Sequence, residues 1–508
     1  MQTKSVDSGN TITLNDVTNR SFLNINNFDD DDSTNILSRT WQYEDASLPG
    51  HLLSVTEQAA DGTSRITERL VWGGNSKVEK EQNLANQCTR HYDTAGLDKT
   101  NSIAISSMLL SITRCLLKNA NDITTTVDWQ GEDVSDRDNL LDEKQYTTQT
   151  TADATGKILT STDAADNTQR MAYDVTGMLK SIWLTLKENT EQMIVKSIGY
   201  AANIQKEIEE HGNGVVTTYN YEQETQRLIA IKTERPAGHS AGAKILQDLR
   251  YTYDPVGNVV NISNNAEETL FWRNQKVIPI SMYSYDSLYQ LVYATGREMA
   301  NNTQPNITHF PSADDTAYSN YTRTYSYDNG GNMFQIRHTD PATNNNYTIN
   351  ITVSDRSNRA LLSTLTENLA EVDALFTPSG YQKQLQLNQN LLWTSRGELQ
   401  LVTPITDDGI ADDNGNYRYD ANNQRVLKTA VIKKANHIQS QSVLYLPTIE
   451  LRTIQNGDEQ KENLHIIKIS QAGRGQVHVL HWEKGKPTVI NNNHIRYSYN
   501  DLIGSSIL

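Results

Sequence analysis

One pentapeptide carries the residue spacing of a serine hydrolase. The stretch GHSAG at Gly238–Gly242 matches the pattern G-x-S-x-G, in which Ser240 would be the nucleophile. Such a nucleophile elbow needs an apolar strand before the serine and a helix after it. Here charged residues and Pro236 precede the motif, and the stretch AKILQDLRYTYD that follows runs into a strand. The flanks therefore favour a loop between two hairpins. An esterase that Ser240→Ala would inactivate is the weakest hypothesis for this chain.

Two further groups of residues resemble metal sites. Cys88 and His91 have the C-x₂-H spacing of zinc ligands, but Cys115 follows without a matched partner, and a zinc site needs four ligands at set spacings. Acidic side chains cluster at Asp29–Asp32 and in Asp407–Asn416, but neither stretch has the alternating ligands of a calcium loop. The sequence also contains neither H-E-x-x-H nor G-x-x-x-x-G-K-[ST]. We therefore predict no catalytic residue, no metal and no cofactor.

The composition argues against several other classes of function. The chain has 508 residues and a formal net charge of −16, which disfavours binding to the phosphate backbone of nucleic acids. The apolar stretch around IAISSMLLSI is far shorter than the ~20 residues of a spanning helix, and so we expect no direct membrane insertion. The N-terminal sequence shows no Sec-type signal peptide. The residues AVILMFWYC make up only 36%, and 24 Tyr stand against 6 Phe, which argues against one thick, dry core.

A short unit recurs along the chain: an aromatic residue, Asp, two further residues and Gly. It has its full form at Tyr92, Asp93 and Gly96, at Tyr173, Asp174 and Gly177, at Tyr253, Asp254 and Gly257, and at Tyr327, Asp328 and Gly331. In two other copies another residue replaces Gly, so that Tyr289 follows Tyr285 and Asp286, and Asn423 follows Tyr419 and Asp420. The clearest repeats lie at 90–180, 250–335, 376–426 and 497–504.

The unit predicts a β-hairpin. Two rings at i and i+2 point to one face of a strand, Asp can accept hydrogen bonds from the backbone of the turn, and Gly supplies the positive φ that closes the reversal. One hairpin cannot bury its face alone, whereas hairpins stacked side by side extend one sheet. We therefore predict a mainly β fold in which residues 1–508 form a single repeat region. We interpret the repeated Asp residues as structural, because an active site occurs once in a chain.

Longer strings between the units resemble one family more specifically. RTWQYEDASLPGHLLSVTEQ, ERLVWGGN, FWRNQKVIP, YSYDSLYQLVYATGREMAN and NITVSDRSNRALLSTLT are similar to the RHS or YD-repeat family and, within it, to the C component (TcC or TccC-like) of bacterial insecticidal toxin complexes. The resemblance extends from about residue 39 to the end of the chain. It implies a long spiralling β-sheet that forms part of a hollow shell around an effector polypeptide. It also implies pairing with a B component and, through it, with the pore-forming A component.

The same resemblance points to segments that this sequence lacks. In that family an aspartyl autoprotease and a variable effector follow the repeats, whereas this sequence stops at Leu508. We therefore expect a chain that is truncated at both ends and cannot cleave itself. The sequence predicts a non-enzymatic shell segment that is secreted as part of a toxin complex, without a Sec signal peptide. The alternative is a YD-repeat adhesin on the cell surface, which would bind glycans through exposed Tyr and Trp.

Overall fold

The computed structural model describes residues 1–28, 36–300, 317–403, 406–407, 410–411, 414–434, 437–469 and 476–506. Within these ranges the regular structure is almost entirely antiparallel β-strand, arranged in two large sheets and two small hairpins. The mainly β fold predicted from the repeats is thus confirmed. The acidic stretch 29–32 lies outside the described residues, as do the side chains of 407–413.

Residues 2–362 build one sheet of 25 strands, which we call the first strip. Each strand pairs with the next strand along the chain, except that β19 pairs with β22 because a small hairpin stands between them. The strands are β1 (Gln2–Ser5), β2 (Gly9–Asn15), β3 (Ser21–Asn26), β4 (Leu37–Tyr43), β5 (Leu52–Ala59), β6 (Ser64–Trp72), β7 (Cys88–Tyr92), β8 (Gly96–Ile103), β9 (Leu109–Leu117), β10 (Leu141–Ala152), β11 (Ile158–Thr162), β12 (Thr168–Tyr173), β13 (Leu179–Thr185), β14 (Gln192–Tyr200), β15 (Lys206–His211), β16 (Val216–Tyr221), β17 (Leu228–Arg235), β18 (Lys244–Tyr253), β19 (Val259–Asn264), β22 (Ile280–Tyr285), β23 (Leu291–Met299), β24 (Tyr318–Tyr327), β25 (Met333–Thr339), β26 (Tyr347–Val353) and β27 (Ala360–Leu362), and the small hairpin is β20 (Leu270–Trp272) with β21 (Gln275–Val277).

Residues 384–498 build a second sheet of ten strands, which we call the second strip. Its strands are β28 (Gln384–Gln386), β29 (Gln389–Trp393), β30 (Leu399–Val402), β33 (Asn414–Tyr419), β34 (Arg425–Lys434), β35 (His437–Tyr445), β36 (Ile449–Asn456), β37 (Glu459–Ile469), β38 (Gln476–Lys484) and β39 (His494–Ser498), with a side hairpin of β31 (Thr406–Asp407) and β32 (Ile410–Ala411). The helices are short: α1 (Lys77–Glu81), α2 (Val134–Asp138) and a 3-10 helix (Leu369–Leu375). Within the described ranges no helix has the length and apolar character needed to cross a bilayer.

The turns of the first strip alternate between two edges, because the strip is an antiparallel meander. Turns that follow odd-numbered strands, such as 6–8 after β1 and 212–215 after β15, lie on one edge, which we call the seam edge. Turns that follow even-numbered strands, such as 174–178 after β12 and 254–258 after β18, lie on the other, which we call the free edge.

The second strip runs along the seam edge of the first. Hydrogen bonds connect Asn27 with Ser379, Glu57 with Arg396, Thr94 with Tyr419, Gln169 with Lys468, and Asn213 with Tyr499. Both partners advance along the chain together, while their separation in sequence falls from 352 to 286 residues. The second strip is therefore the next turn of a spiral, laid beside the first in the same direction. We call the line of contact the seam.

The largest apolar cluster lies where the two strips meet. It combines side chains of β12–β14 and the turn after β13 with side chains of β36–β38: Met171, Ile182, Leu184, Leu186, Ile194, Val195, Ile198, Ile449, Ile467, Ile469, Val477 and Val479. A second cluster joins Ala95 to Val426, Leu427 and Leu444 across the same seam. Each fully buried aliphatic side chain contributes roughly 1.5–3 kcal/mol. Much of the chain's limited apolar content therefore packs the second strip against the first.

Candidate functional site

The repeat turns share one hydrogen-bonding pattern, seen clearly at Asp174. Its Oδ1 accepts from the N–H groups of Thr176 at 2.8 Å and Met178 at 2.9 Å. Its own N–H donates to the Met178 carbonyl at 2.9 Å, and the Gly177 N–H donates to the Asp174 carbonyl at 2.9 Å. The Thr176 hydroxyl and the Met178 N–H hold the pKa of the Asp174 carboxyl below its usual value. The same turn recurs at Asp254, Asp286, Asp328 and Asp420.

The fourth residue of each turn, counted from Asp, has a positive φ. Gly177, Gly257 and Gly331 have φ values of +81°, +109° and +84°. Where the sequence lacks glycine the backbone keeps the same conformation, since φ is +62° at Tyr289 and +59° at Asn423. A left-handed conformation costs roughly 1–2 kcal/mol in a residue with a side chain. The rest of the hairpin therefore imposes this turn even where the local residue opposes it.

Several copies of the turn escape the sequence pattern. Turns with the same backbone hydrogen bond from the first residue to the fifth begin at Asp16, Asp163 and Ala201, and their fourth residues Asn19, Asp166 and Ile204 have φ of +65°, +65° and +70°. None of the three has Gly at the fourth position, and Ala201 lacks the turn carboxylate as well. A search that accepted Asn or Asp in place of Gly, and any residue in place of the aromatic one, would have found two of them.

In most units the tyrosine is tied to the unit before it through its hydroxyl. The hydroxyl donates to a backbone carbonyl in seven places: Tyr43 to Ser21, Tyr173 to Ile158, Tyr200 to Leu179, Tyr253 to Leu228, Tyr285 to Val259, Tyr327 to Leu291, and Tyr419 to Leu399. The indoles of Trp72 and Trp393 make the same kind of bond, to Leu52 and Gln382. Phenylalanine could supply the ring but not the donor, which explains the excess of Tyr over Phe.

Three cations strengthen the same link between units. Arg20, Lys157 and Arg227 each follow a turn, and their charged groups lie 4.5, 5.4 and 5.7 Å from the ring centres of Tyr43, Tyr173 and Tyr253 in the next unit. Each also donates to a carbonyl in the turn of that unit, at Gly50, Gly177 and Asp254. A cation over an aromatic ring is worth about 0.5–1 kcal/mol at an exposed site. Neighbouring hairpins are thus bound by side chains as well as by the sheet ladder.

Removing one tyrosine hydroxyl tests this link. Tyr285→Phe deletes the 2.9 Å bond to the Val259 carbonyl and keeps the ring, and we expect a loss of about 1 kcal/mol in the free energy of unfolding. The matched control is Tyr289→Phe, because the Tyr289 side chain is 59% exposed. Urea unfolding followed by tryptophan fluorescence measures both variants. Equal midpoints for the two would show that the hydroxyl bond contributes nothing.

Tyr92, Asp93 and Gly96 form a turn of a different kind. It lies on the seam edge and is shorter, since the Asp93 N–H donates to the Gly96 carbonyl at 2.8 Å. Asp93 is buried and bound at 2.7 Å by both terminal nitrogens of Arg114. The Tyr92 hydroxyl donates to Asp138 at 2.7 Å rather than to a carbonyl. This turn is therefore buried at the seam edge, whereas the other copies of the turn in the first strip lie at the free edge.

A buried network of charges crosses the seam near Glu57. The Arg396 guanidinium of the second strip reaches Glu57 at 3.1 Å and Glu68 at 2.6 Å. Arg39 contacts Glu57 at 3.0 Å, and His91 contacts Glu68 at 2.8 Å. Burial opposes charge on His91, but its hydrogen bond with Glu68 and that carboxylate's charge raise the pKa of His91 above its usual value. Each charge in the network has an opposite partner, as buried ions require.

A second group of buried polar side chains lies beneath the last C-terminal residues that the structure describes. Glu209, Thr217, Thr233 and Gln247 face one another across β15–β18 and are almost fully buried. Glu209 receives a hydrogen bond from Tyr219 at 3.4 Å, and Lys206 lies 3.7 Å away. Burial raises the pKa of the Glu209 carboxyl to about 7. It lowers the pKa of the neighbouring His211 to about 4.

The titration of Glu209 predicts a pH-dependent stability. The folded pKa of about 7 exceeds the usual value of 4.5, so the carboxyl costs nothing below pH 4.5 and destabilises the fold as pH rises toward 7. We expect Glu209→Gln to match the wild type at pH 4.5 and to exceed it by about 2–3 kcal/mol at pH 8. His211 acts in the opposite direction on acidification and cancels in this comparison. Urea unfolding from pH 4.5 to 8 measures the effect.

The exposed Glu207 on the same strand gives the matched control. We expect Glu207→Gln to follow the wild-type pH profile. A Glu209→Gln profile parallel to the wild type would contradict the assignment of the carboxyl as the group that titrates.

The residues whose spacing resembles a catalytic or metal site lie in surroundings that differ from those of such a site. Ser240 is exposed in the loop between the antiparallel strands β17 and β18, with no helix after it. The His239 Nδ1 accepts from the Ala241 N–H at 3.0 Å, and its Nε2 lies 2.9 Å from the Asn213 carbonyl, so both ring nitrogens are engaged. Burial raises the pKa of the Cys88 thiol to about 11. Among the described residues no three His, Cys, Asp or Glu side chains are grouped as metal ligands.

Known proteins are similar to this chain in sequence. Residues 344–388 match a family model described as the tripartite Tc toxins repeat. Over 515 positions and 99% of its length, the chain is 54% identical to the toxin subunit YenC2 of Yersinia entomophaga. It is 51% identical to YenC1 of the same organism over 509 positions and 100% of its length. The chain is homologous to known toxin subunits. It spans about half the length of these curated relatives, 53% of YenC2 and 51% of YenC1.

Solved structures share the whole fold. The crystal structure of TcdB2-TccC3 without its hypervariable C-terminal region matches with a TM-score of 0.93 at 53% identity, over 100% of this chain and 23% of that one. A Photorhabdus luminescens Tc holotoxin pore matches with a TM-score of 0.92 at 53% identity, over 99% and 23%. Both strips, and the seam between them, thus correspond to a segment of these toxin proteins. The relatives are toxin subunits, and so they give the adhesin alternative no support.

Proposed function

We propose that this chain is a structural segment in the wall of a Tc-type insecticidal toxin, as a C-type component built from RHS or YD repeats. The observation that carries the proposal is the seam. A second strip that follows the first in the same direction, edge beside edge, continues one curved wall. A wall of this kind can enclose a space, whereas an adhesin needs only an exposed face.

The repeat turns have a structural role in this proposal. Tyr, Asp and the residue of positive φ fix each hairpin and tie it to the one before, and residues 1–508 act as one continuous wall region. The chain has no catalytic residue and needs no cofactor. The buried ion pairs support this view, because each charged group in the network around Arg396 is held by an opposite charge.

The partners follow from the same role. We propose that a B component completes the shell, that the pore-forming A component binds through the B component, and that an effector polypeptide lies inside. The complex is secreted as a whole, and this chain binds neither nucleic acid nor a membrane directly. The net charge of −16 supports the absence of nucleic-acid binding.

Co-expression with a B component tests the proposal. We expect the tagged chain and the B component to elute together in size-exclusion chromatography, with a mass by light scattering that fits one copy of each. Separate elution of the two proteins would contradict the proposed function. A glycan-array signal from the isolated chain, without association with the B component, would favour an adhesin instead.

A further inference from the structure

A cleft opens at the seam beside the charges around Arg396. Its volume is about 240 Å³, and both strips line it. The first strip contributes Arg65 of β6, and the second strip contributes Trp393, Glu398 and Asn416. A cavity of about 150 Å³ can hold benzene, and so the cleft has room for a small molecule. Ligand sites in proteins are concave and combine apolar walls with a few polar groups that fix the orientation of the ligand.

Two buried oxygens in this cleft have no hydrogen-bond donor among the described residues. They are Oε1 of Glu398, a residue that is 7% exposed, and Oδ1 of Asn416. The other polar atoms of both side chains are engaged, since Glu398 Oε2 accepts from the Thr394 hydroxyl at 3.0 Å and Asn416 Nδ2 donates to Asn414 at 3.3 Å. Burial raises the pKa of the Glu398 carboxyl. Buried acceptors without a donor are costly, and a ligand that donates to them removes this cost.

Three arginines line the cleft, and two of them are engaged by other groups. Arg396 is held by two carboxylates, and Arg418 donates to carbonyls of the loop 120–125. Arg65 lies opposite Glu57 on the neighbouring strand, but that carboxylate already binds two other arginines. No described residue forms a hydrogen bond or ion pair with the Arg65 guanidinium. The cleft therefore combines an unpaired guanidinium with an unpaired carboxylate oxygen.

Aromatic side chains form a further wall of the cleft and are held in place by other groups. Trp393 is stacked on Tyr381 with ring centres 4.9 Å apart, and its indole N–H donates to the Gln382 carbonyl at 2.7 Å. The guanidinium of Arg425 lies 4.5 Å from the ring centre of Tyr417. Walls that are fixed before binding lose little conformational entropy when a ligand arrives. This part of the cleft suits an apolar group.

We propose that the cleft binds a free α-amino acid with an apolar side chain. The ammonium group of the ligand donates to Glu398 and Asn416, its carboxylate accepts from Arg65, and its side chain lies against Trp393 and Tyr417. A zwitterion matches one unpaired charge of each sign, whereas a simple cation or anion leaves one of them unmatched. Because Arg65 belongs to the first strip and Glu398 to the second, the ligand bridges the seam. This binding is additional to the structural role and does not depend on a B component.

Calorimetric titration of the 508-residue chain with L-phenylalanine tests the proposal. We expect one ligand per chain and a urea unfolding midpoint that rises with ligand concentration, because the ligand binds the folded state. L-Phenylalaninol lacks the carboxylate, and N-acetyl-L-phenylalanine lacks the ammonium group. Each should bind about tenfold more weakly than L-phenylalanine, because one hydrogen-bonded contact between charged groups is lost.

Two variants assign the charged contacts to residues. Glu398→Gln and Arg65→Met should each weaken the binding of L-phenylalanine about tenfold. Arg65→Met should bind L-phenylalaninol as well as the wild type does, because that ligand has no carboxylate for Arg65 to bind. Glu207→Gln and Arg337→Met are the matched controls, since both side chains are exposed and lie outside the cleft. Both controls should bind L-phenylalanine like the wild type.

Four results would overturn the proposal. If millimolar L-phenylalanine and L-leucine produce neither heat nor a higher unfolding midpoint, the cleft holds only water. If L-phenylalaninol and N-acetyl-L-phenylalanine bind as tightly as L-phenylalanine, the two charges are not recognised. Binding of D-glucose in place of amino acids would assign the cleft to a neutral hydroxylated ligand. If Glu398→Gln and Arg65→Met bind like the wild type, or if the control variants lose as much affinity, the ligand binds elsewhere.

Discussion

Gly96→Ala is expected to prevent folding of the seam. The backbone of Gly96 has φ of +147°, and a Cβ built there would lie 2.1 Å from the Cys115 carbonyl oxygen and 2.9 Å from the Leu116 Cα. Those atoms belong to the paired strand β9, so relief requires β8 and β9 to separate. Separation would also disturb the Asp93–Arg114 pair. We expect a loss of about 4 kcal/mol or more, measured as the urea unfolding midpoint.

Gly62→Ala is the matched control for Gly96→Ala. Gly62 has φ of +84°, but no atom lies within 4 Å of its built Cβ. Only the left-handed strain remains, at about 1–2 kcal/mol. If the two variants were equally stable, close approach of the backbones at Gly96 would not be a determinant of the fold.

Arg396→Met is expected to weaken the contact between the strips. The Glu57 and Glu68 side chains are 8% and 12% exposed and would lose the cation they share. Removing one partner of a buried ion pair costs about 3–5 kcal/mol, and the remaining partners Arg39 and His91 favour the lower end. Urea unfolding gives the loss. Limited proteolysis should be faster in the variant, because the second strip would detach first.

Two comparisons sharpen the test of Arg396. Arg170→Met removes a similar guanidinium–carboxylate pair with Glu191, but its side chains are 42% and 40% exposed, and so we expect a cost of about 1 kcal/mol. Adding Glu57→Gln to Arg396→Met should recover part of the stability, because one buried charge is then removed. No recovery, together with equal costs for Arg170→Met and Arg396→Met, would contradict a buried electrostatic contact at the seam.

The fold was largely predictable from local sequence, because its hairpins are local. Tyr253, Asp254 and Gly257 stand at fixed spacing. The Asp254 carboxylate accepts from the N–H groups of Gly257 and Asn258, so the hydrogen bonds of the turn all lie within five residues. Antiparallel pairing with the next strand then follows from chain continuity. The general form of the sheet could therefore be read from repeated units.

The seam could not be predicted in the same way. Glu57 and Arg396 lie 339 residues apart, and no spacing rule relates two strips whose offset changes along their length. Asp93 illustrates the limit, since its motif matches the exposed turns while its surroundings bury it against Arg114. The tyrosine hydroxyl bonds were also hidden, although the excess of Tyr over Phe pointed to rings with one polar end.

Cryo-electron microscopy of this chain in complex with a B component tests the central claim most directly. We predict a hollow particle in which the two strips form part of one wall, with the second strip against the seam edge as in the contact of Arg396 with Glu57. A particle in which the strips bound no internal space, or in which this chain is attached outside a shell closed without it, would contradict the account.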